Sequence, residues 1–444
     1  MNKLLGTGFI MTAALVALSG CTSGSGTGTD GTAEQAPPSG MQAPGSEREL
    51  LIYTVWPAFY VKEDIFDKQI GQSIRRKFPD VAVKHIHWDN PGKQYKDLIA
   101  AGTIPDIIID DSHLNLNREI INNDLHFDMS DLIKKYNFDT GQLNASAMQR
   151  MVNASPDGAI YGLPFQISDY LLFYNKDIFD KFGVDYPRSG MTYDEAYELA
   201  KKLTRVEGEI TYKGYSQNPG HYMNYNQLSL NPLHLTEDRA HLTTDGWKKL
   251  VDNLRRFYEI PANQFDTVEK FSQGNIAMAV AAVERIVKFH EDNRQLNFDI
   301  STVPVFSDLP DTRYQPNTYS LYITKQSAKK DLAFEVIRHL LSEEVQLELS
   351  REGVIGALQT PAVKEAFGSN LPQMKGKNAE AVFHGRYADP MPARAPGLTY
   401  HLVNTQGVFS PHIFLESKDS VTALRLTEES ETKRIQEIKA EKVR

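Results

Sequence analysis

The 444-residue sequence contains a single cysteine, Cys21, so no disulfide can form within one chain and no zinc site can be built from several thiolates. It also lacks a basic excess, because 48 lysines and arginines stand against 57 aspartates and glutamates, for a formal net charge of -9. Nucleic-acid binding requires a basic surface, so this balance argues against nucleic acid as a partner. The chain length is that of about two or three domains.

Long apolar runs are equally scarce. Residues 4–18 are apolar but too short to cross a bilayer comfortably as a helix, and no other stretch is long enough to do so. The run follows Lys3 and precedes Leu18-Ser-Gly-Cys21, an arrangement typical of a secretory signal. The tetrad resembles the lipobox of bacterial lipoproteins, which implies cleavage before Cys21 and lipid attachment to its sulfur. An ordinary signal peptide with a chance cysteine is the alternative.

What the sequence does contain is an alternation of strand and helix patterns. Residues 22–46 are rich in Gly, Ser, Thr and Pro and predict a flexible tether, and order begins at Glu49. Strand, helix, strand, helix and strand then follow in turn, which predicts a parallel sheet with right-handed crossovers and an α/β fold class. Strands are predicted at residues 50–55, 81–88, 106–110, 171–174, 277–280 and 320–324, and helices at 64–77, 94–101, 192–203, 328–341, 343–351 and 421–439.

Four sequence segments are modest signals singly, but their occurrence together in this order is specific. They are Leu98-Ile-Ala-Ala-Gly-Thr-Ile-Pro-Asp106, Asp157-Gly-Ala-Ile-Tyr-Gly-Leu-Pro164 with Leu172-Phe-Tyr-Asn-Lys-Asp-Ile-Phe179 behind it, Phe271-Ser-Gln-Gly-Asn-Ile-Ala-Met278, and Tyr322-Ile-Thr-Lys-Gln-Ser-Ala-Lys-Lys-Asp-Leu-Ala-Phe334. Together with the lipobox, they resemble the extracellular solute-binding proteins of sugar-importing ABC transporters, the family that includes maltose-binding protein.

The resemblance implies the type II periplasmic-binding fold, in which two α/β lobes are joined by hinge strands and close on a solute by hinge bending. It implies a signal peptide at residues 1–20 and a tether carrying lipid-anchored Cys21 at residues 21–48. The N-terminal lobe is expected at residues 49–167 and 307–357, and the C-terminal lobe at residues 168–306 and 358–444. No catalytic residue, cofactor or metal is expected.

The function implied is capture of a carbohydrate, expected to be an oligosaccharide, and its delivery to the permease of an ABC importer. The protein is expected to be a monomer anchored by lipid on the extracellular face of the cell membrane. Two alternatives stay open: a secreted glycan-degrading enzyme that uses paired carboxylates, and a binding lipoprotein that serves a sensor. No Gly-x-Ser-x-Gly, His-Glu-x-x-His or Walker A motif supports an enzyme.

Sugar binding requires aromatic faces for the rings, and carboxylates or amides for the hydroxyls. Trp56 and Tyr174 are the leading aromatic candidates because they lie at or beyond predicted strand ends, where open α/β sheets bind ligands. Tyr319 and Tyr400 are further candidates, and for Trp56 simple packing is an equally open interpretation. Residues 218–226 are rich in aromatic and amide side chains and are a candidate cleft-lining loop.

Five polar residues complete the predicted site. Asp110 and Asp111 follow an apolar strand, with helix capping or surface solvation as the alternative. Ser168 and Asp169 fall on the expected hinge segment, where family members commonly have an acidic residue that binds the sugar. The sequence does not decide which of the two takes this role. Glu284 stands where the family often has an aromatic residue, which indicates a solute with a different polar pattern.

Overall fold

A computed structural model of the protein describes residues 48–55, 63–111, 115–410 and 419–442. Strands and helices alternate along these residues. The strands are β1 (Glu49–Thr54), β2 (Ala82–His87), β3 (Ile107–Asp111), β4 (Gly162–Ser168), β5 (Tyr170–Asn175), β6 (Arg205–Glu207), β7 (Ile210–Tyr212), β8 (Ser216–Gln217), β9 (Met278–Ala282), β10 (Phe298–Thr302), β11 (Thr312–Arg313), β12 (Asn317–Ile323), β13 (Ile355–Gly356) and β14 (Arg386–Tyr387).

The helices pack on the faces of the sheets by their apolar sides. They are α1 (Glu63–Phe66), α2 (Gln72–Lys77), α3 (Tyr95–Ala100), α4 (Ser130–Lys135), α5 (Ala145–Ala154), α6 (Lys176–Phe182), α7 (Tyr193–Leu203), α8 (Pro219–Asn224), α9 (Asp245–Tyr258), α10 (Arg285–Asp292), α11 (Lys330–Leu340), α12 (Glu343–Arg351), α13 (Pro361–Glu365) and α14 (Ser420–Lys442). None of the helices in the described parts of the chain has the length and apolar content needed to span a bilayer.

The first sheet has the strand order β13-β4-β12-β3-β1-β2 within the described residues. Strands β1, β2 and β3 are parallel, as the strand–helix–strand order predicts, whereas β12 runs antiparallel to both β3 and β4. Strand β3 is buried along its whole length, which explains its continuous apolar run. Leu50, Ile52, Ile107 and Leu321 form part of the core on one face of this sheet.

The second sheet has the order β10-β5-β9-β8, again within the described residues. Strand β5 pairs antiparallel with both β9 and β10, and the short β8 runs parallel to β9. Leu172, Met278 and Val280 from these strands pack with Trp247 of α9, which is buried in the same core. The protein therefore has two α/β lobes, each with a sheet and a core of its own, as predicted.

The chain passes between the two sheets at three places. Strand β4 ends at Ser168 and β5 begins at Tyr170, so Asp169 alone lies between strands of different sheets. The second passage joins β10 to β12 through β11, which pairs parallel with β14. The third follows β13, after which the remaining chain returns to the second lobe. These passages lie near one another at the boundary between the lobes.

Pro219–Asn224, within the segment 218–226, form the short helix α8, where the sequence suggested a loop. The side chain of Asn218 accepts hydrogen bonds from the backbone N–H groups of Gly220 (2.8 Å) and His221 (3.2 Å), so it caps the N-terminus of α8. Pro219 occupies the first helical position, where its missing N–H is not needed. The cap and the proline together start a helix in a segment whose composition is that of a loop.

Candidate functional site

A cavity of about 600 Å³ lies between the two sheets and is called here the interlobe cleft. Both lobes contribute to its walls, through strand ends and through loops and short helices that follow them. The lining residues are Asp111, Ser168, Tyr170, Asn218, Gly220, His221, Asn224, Tyr225, Val268, Glu269, Ala281, Ala282, Arg285, Asn317, Tyr319, Leu402, Val403, Asn404, Thr405 and Gln406.

The first lobe presents two cross-strand pairs to the cleft. Tyr319 of β12 lies opposite Asp111 of β3, and Asn317 of β12 lies opposite Ser168 of β4. Positions two residues apart on a strand share a face of the sheet, so β12 carries Asn317 and Tyr319 toward the same side. One edge of the first sheet thus offers a carboxylate, an amide, a hydroxyl and an aromatic ring together.

The second lobe contributes a group of aromatic rings that contact one another at tilted angles. The ring of Tyr170, at the start of β5, lies 5.0 Å from the ring of His221 and 5.7 Å from that of Tyr225. Asn317 of the first lobe lines the same cavity as Tyr170, and its amide partly opposes the rise that burial causes in the pKa of the Tyr170 hydroxyl. Burial lowers the pKa of His221 to about 4, so its ring is neutral at physiological pH. These rings form an aromatic surface with polar edges.

Two further elements complete the walls of the interlobe cleft. The guanidinium of Arg285, at the start of α10, pairs with the exposed carboxylate of Glu269 at 2.9 Å. The segment 402–406 approaches α8, where the hydroxyl of Thr405 donates to the side chain of Asn224 at 2.8 Å. A Cβ on Gly220 would lie 2.8 Å from Oε1 of Gln406, so glycine permits this approach.

Glu284 lies beside the cleft, where it hydrogen-bonds the hydroxyl of Ser168. Burial raises the pKa of its carboxyl to about 7, because the charged form loses its hydration, and its Oε2 has no hydrogen-bond partner. Among the predicted site residues, the structure therefore brings Asp111, Ser168 and Tyr319 to the cleft, with Glu284 in contact with Ser168.

Asp110 lies on the opposite side of β3 from Asp111, because successive side chains of a strand point to opposite faces. Its carboxylate accepts hydrogen bonds from the hydroxyl of Tyr95 at 2.6 Å and from the amide of Asn115 at 2.7 Å. Burial raises the pKa of Asp110 to about 8. This carboxyl belongs to the interior of the first lobe and does not line the cleft.

Asp169 likewise points away from the cleft, so that Ser168 is the member of the predicted pair that lines it. The Asp169 carboxylate pairs with the guanidinium of Arg313 and accepts a hydrogen bond from the hydroxyl of Tyr387 at 2.9 Å. Arg313 lies in β11 and Tyr387 in β14, so the first two passages between the lobes are joined here. We call Asp169 and Arg313 the hinge ion pair.

The remaining predicted residues lie elsewhere. Tyr174 packs against Phe179 and Tyr186, and its hydroxyl donates to Asp299 at 3.3 Å, inside the second lobe. Tyr400 lines a smaller neighbouring cavity. Trp56 and Cys21 lie outside the described residues.

Several cleft residues were not predicted from the sequence, including Tyr170, Glu269, Asn317 and Gln406. Tyr170 and Asn317 sit directly beside predicted residues, so their position at strand ends was a usable signal. Gln406 reaches the cleft only through the return of the chain after β13, for which no local pattern exists. Within the described ranges, no three His, Cys, Asp or Glu side chains converge in a way that could hold a metal ion.

Similarity to known proteins agrees with this geometry. A binding protein of Brucella abortus (strain 2308) is 23% identical over 227 residues, 48% of this chain and 54% of that protein. The sn-glycerol-3-phosphate-binding periplasmic protein UgpB of Agrobacterium fabrum (strain C58 / ATCC 33970) is 42% identical over 50 residues, 11% of this chain and 12% of that protein. The chain therefore spans about half, or less, of the length of these curated relatives.

Solved structures match over much longer stretches. The cyclic alpha-maltosyl-1,6-maltose binding protein of Arthrobacter globiformis has a TM-score of 0.66 at 18% identity, over 88% of this chain and 99% of that one. An ABC substrate-binding protein of Listeria monocytogenes in complex with cycloalternan has a TM-score of 0.63 at 18% identity, over 87% and 99%. At such identities the likeness establishes the fold alone.

The family itself is given by a match of residues 72–379 to the family model described as bacterial extracellular solute-binding protein. The match covers well over half of the 444-residue chain. The protein belongs to the family of bacterial extracellular solute-binding proteins.

Proposed function

We propose that the protein binds a carbohydrate in the interlobe cleft and delivers it to the permease of an ABC importer. The observation that carries the proposal is the joint presence of aromatic faces and hydrogen-bonding side chains in one cavity of about 600 Å³. That volume falls within the range of about 300–1,000 Å³ that is usual for small-molecule sites. A site for an apolar solute would not need so many amides.

The chemistry of the walls suits a sugar. Tyr170, His221 and Tyr225 offer ring faces to the apolar faces of pyranose rings. Asn218, Asn224, Asn317 and Gln406 offer amides that both donate to and accept from hydroxyl groups. The Listeria and Arthrobacter proteins of the same fold are described with oligosaccharides, which supports this solute class.

Solute binding is proposed to favour the closed arrangement of the lobes. Asp111 and Tyr319 belong to the first lobe, whereas Tyr170 and His221 belong to the second. A sugar that contacts both sets binds the closed form more tightly than an open form, and this differential affinity shifts the population. The permease would distinguish loaded from empty protein by this closure. The lobe boundaries expected from the sequence, residues 49–167 with 307–357 and residues 168–306 with 358–444, are part of the proposal.

Location is proposed from the N-terminal motif. Removal of residues 1–20 and lipid attachment to Cys21 would hold the protein on the extracellular face of the membrane, with residues 22–48 as a tether. If Cys21 is lipidated, the wild type fractionates with membranes and incorporates labelled palmitate, whereas Cys21→Ala releases the protein in soluble form. Unlabelled wild type in the medium would favour the ordinary signal peptide.

The binding proposal is tested by calorimetry after a thermal-shift screen of neutral and acidic oligosaccharides, because a ligand of the folded state raises the melting temperature. Tyr319→Ala should weaken binding of the best solute at least about tenfold, since it removes an aromatic face worth roughly 1.5 kcal/mol or more. Tyr319→Phe is the matched control and should stay within about threefold, because the ring remains.

The same samples separate the alternatives. Cleavage of an oligosaccharide by the purified protein would contradict the binding role and favour a glycan-degrading enzyme. Unchanged solute uptake by cells lacking the protein would favour the sensor. Equal affinities of the wild type and Tyr319→Ala would show that this ring does not contact the solute.

A further inference from the structure

A second cavity of about 130 Å³ adjoins the interlobe cleft, and we call it the arginine cavity. Asn224, Leu402 and Val403 line both cavities, so the two share a wall. Arg150, Arg394 and His401 line the arginine cavity, and no aspartate or glutamate occurs among its described lining residues. This acid-free surface stands out in a chain with 57 acidic against 48 basic residues.

Arg150 is the central residue of the arginine cavity. It lies on α5, its side chain is 5% exposed, and Nη1 donates to Oε1 of Gln315 at 2.9 Å. Its Nη2 is buried without a hydrogen-bond partner. Burial lowers the pKa of Arg150, but a guanidinium remains charged in proteins at neutral pH. Arg150 is therefore a buried cation in the wall of this cavity, and one of its nitrogens has no hydrogen-bond acceptor.

No carboxylate in the described parts of the chain forms an ion pair with Arg150, although the charge of Asp111 partly opposes the fall that burial causes in its pKa. Gln315 offers a neutral oxygen that also accepts from the backbone N–H of Met391 at 3.0 Å. The ring of Tyr225 lies 5.4 Å from the guanidinium, an aromatic contact that stabilises the cation only in part. Asp111 lines the neighbouring cleft and acts on Arg150 only beyond ion-pair distance. Among the described residues, no carboxylate pairs with Arg150.

Arg394 adds a second cation to the same cavity. Its guanidinium donates to the backbone carbonyls of His234 (2.9 Å), Thr399 (2.9 Å) and Glu237 (3.2 Å), which fix it without neutralising its charge. Tyr400 lies on the same wall, and burial raises its pKa to about 12, so its hydroxyl keeps its proton. The cavity thus combines two fixed guanidinium groups with a neutral hydroxyl.

We infer that the arginine cavity binds an anionic substituent, a carboxylate, sulfate or phosphate group, of the saccharide held in the interlobe cleft. The inference rests on the proposed function and narrows the solute to an acidic saccharide. Guanidinium groups bind such oxyanions through paired N–H donors, and Nη2 of Arg150 has one such donor set available. Because the cavities adjoin at Asn224, Leu402 and Val403, we place the sugar ring in the cleft and its charged group in the arginine cavity.

The first test compares trigalacturonate with its methyl ester by calorimetry, since the two differ in charge on the same sugar. The wild type should bind the charged form about ten- to hundredfold more tightly. Arg150→Gln should lose this preference while its affinity for the ester stays within about threefold. Arg425→Gln is the matched control, because it removes an exposed positive charge on α14 that does not line the cavity, and it should retain the preference.

A second test does not depend on the identity of the sugar. Glucuronate, inorganic phosphate and sulfate are added separately at constant ionic strength, and glucose serves as the neutral probe. At least one anion should raise the melting temperature of the wild type and of Arg425→Gln, but not that of Arg150→Gln or Arg394→Gln. Glucuronate and phosphate distinguish a carboxylate from a phosphate group as the natural occupant.

The outcomes separate this inference from the function on which it rests. If neutral oligosaccharides bind and no anion acts through Arg150, the inference is wrong and the carbohydrate role stands. If neither neutral nor acidic saccharides bind, both proposals are wrong, even where phosphate stabilises the protein. An anion effect of equal size in the wild type and Arg150→Gln would overturn the inference on its own.

Discussion

Arg150 and Arg313 are buried to the same degree, each 5% exposed, yet their surroundings differ in one respect. Arg313 pairs with the carboxylate of Asp169, donates to the carbonyl of Val382 at 2.7 Å and lies 4.7 Å from the ring of Tyr387. Arg150 has an amide oxygen and an aromatic ring but no carboxylate partner among the described residues. Within the described residues, a carboxylate pairs with the guanidinium at the hinge, whereas none pairs with Arg150 at the arginine cavity.

This difference indicates that Arg150 and Arg313 have different roles in the protein. A buried charge costs several kcal/mol unless an opposite charge and hydrogen bonds offset it. The hinge ion pair offsets that cost permanently and joins two passages between the lobes. At Arg150 the cost is offset only in part, which is the condition under which an anionic ligand gains affinity. Four substitutions test this comparison.

Asp169→Ala should give the largest effect, because it leaves the Arg313 cation buried without its counter-charge. We expect the free energy of unfolding in urea to fall by about 3–5 kcal/mol. The double variant Asp169→Ala with Arg313→Met removes both charges and should recover much of the loss. A loss below about 1 kcal/mol in the single variant would show that Arg313 does not depend on Asp169.

Glu284 extends the comparison to an acid, since its carboxylate has no ion-pair partner among the described residues while Arg285 pairs with Glu269. Burial raises its pKa from 4.5 to about 7, so within this range the folded state holds a proton that the unfolded state has lost. Unfolding then releases a proton, and stability falls as the pH rises through this range, by up to about 3 kcal/mol.

Urea unfolding of the wild type and Glu284→Gln at about pH 5 and about pH 8 measures this dependence. The wild type should lose stability relative to Glu284→Gln between the two values, because glutamine does not titrate. Parallel changes in both proteins would mean that other groups, and not Glu284, set the pH dependence.

Gly385→Ala tests how rigidly the chain is held next to the hinge ion pair. Gly385 has a φ of +79°, and a Cβ there would lie 2.5 Å from the backbone oxygen of Asp311, which cannot move without shifting β11. We expect a loss of about 1–3 kcal/mol in the free energy of unfolding. Gly376→Ala is the matched control, since Gly376 has a φ of +76° but no atom within 4 Å of the added Cβ. Equal losses would show that the close contact with β11 is not the cause.

Arg150→Met should have the smallest effect on the free protein. Removing a buried cation that has no counter-charge is expected to leave the free energy of unfolding within about 1 kcal/mol of the wild type, or to raise it. Arg313→Met provides the contrast and should be clearly destabilising, because it leaves the Asp169 carboxylate buried without its counter-charge. If Arg150→Met destabilises as much as Arg313→Met, Arg150 has a structural role and the comparison fails.

Local patterns were sufficient for most elements of the fold. The apolar run at residues 106–110 became the buried strand β3, and the Thr192 and Glu195 side chains form the capping box that begins α7. The helix predicted at residues 64–77 is interrupted by a π-helical segment at Asp67–Gly71, which the apolar spacing did not reveal. The correct predictions of β3 and of the start of α7 have one cause, because each depends on residues within a few positions of one another.

The site was predictable only where strand ends define it. The rule that ligands bind at strand ends correctly selected three cleft residues, Asp111, Ser168 and Tyr319. The choice between Ser168 and Asp169 depended instead on the pleat of β4. The role of Arg150 could not be predicted from the sequence, because its partner Gln315 lies 165 residues further along the chain. Distant pairings of this kind leave no pattern in the sequence around either residue.

The position of β12 has a consequence for assembly of the chain. This strand lies between β3 and β4 in the first sheet, pairing Ile323 with Ile107 and Tyr322 with Gly162. All four strands of the second sheet, β5, β8, β9 and β10, are synthesised after β4 and before β12. The first lobe therefore cannot join β3 to β4 through β12 until residue 323 has emerged, and long-range pairing of this kind slows folding. A fragment ending before Asn317 would leave β3 and β4 each with an open edge, and such a fragment should self-associate.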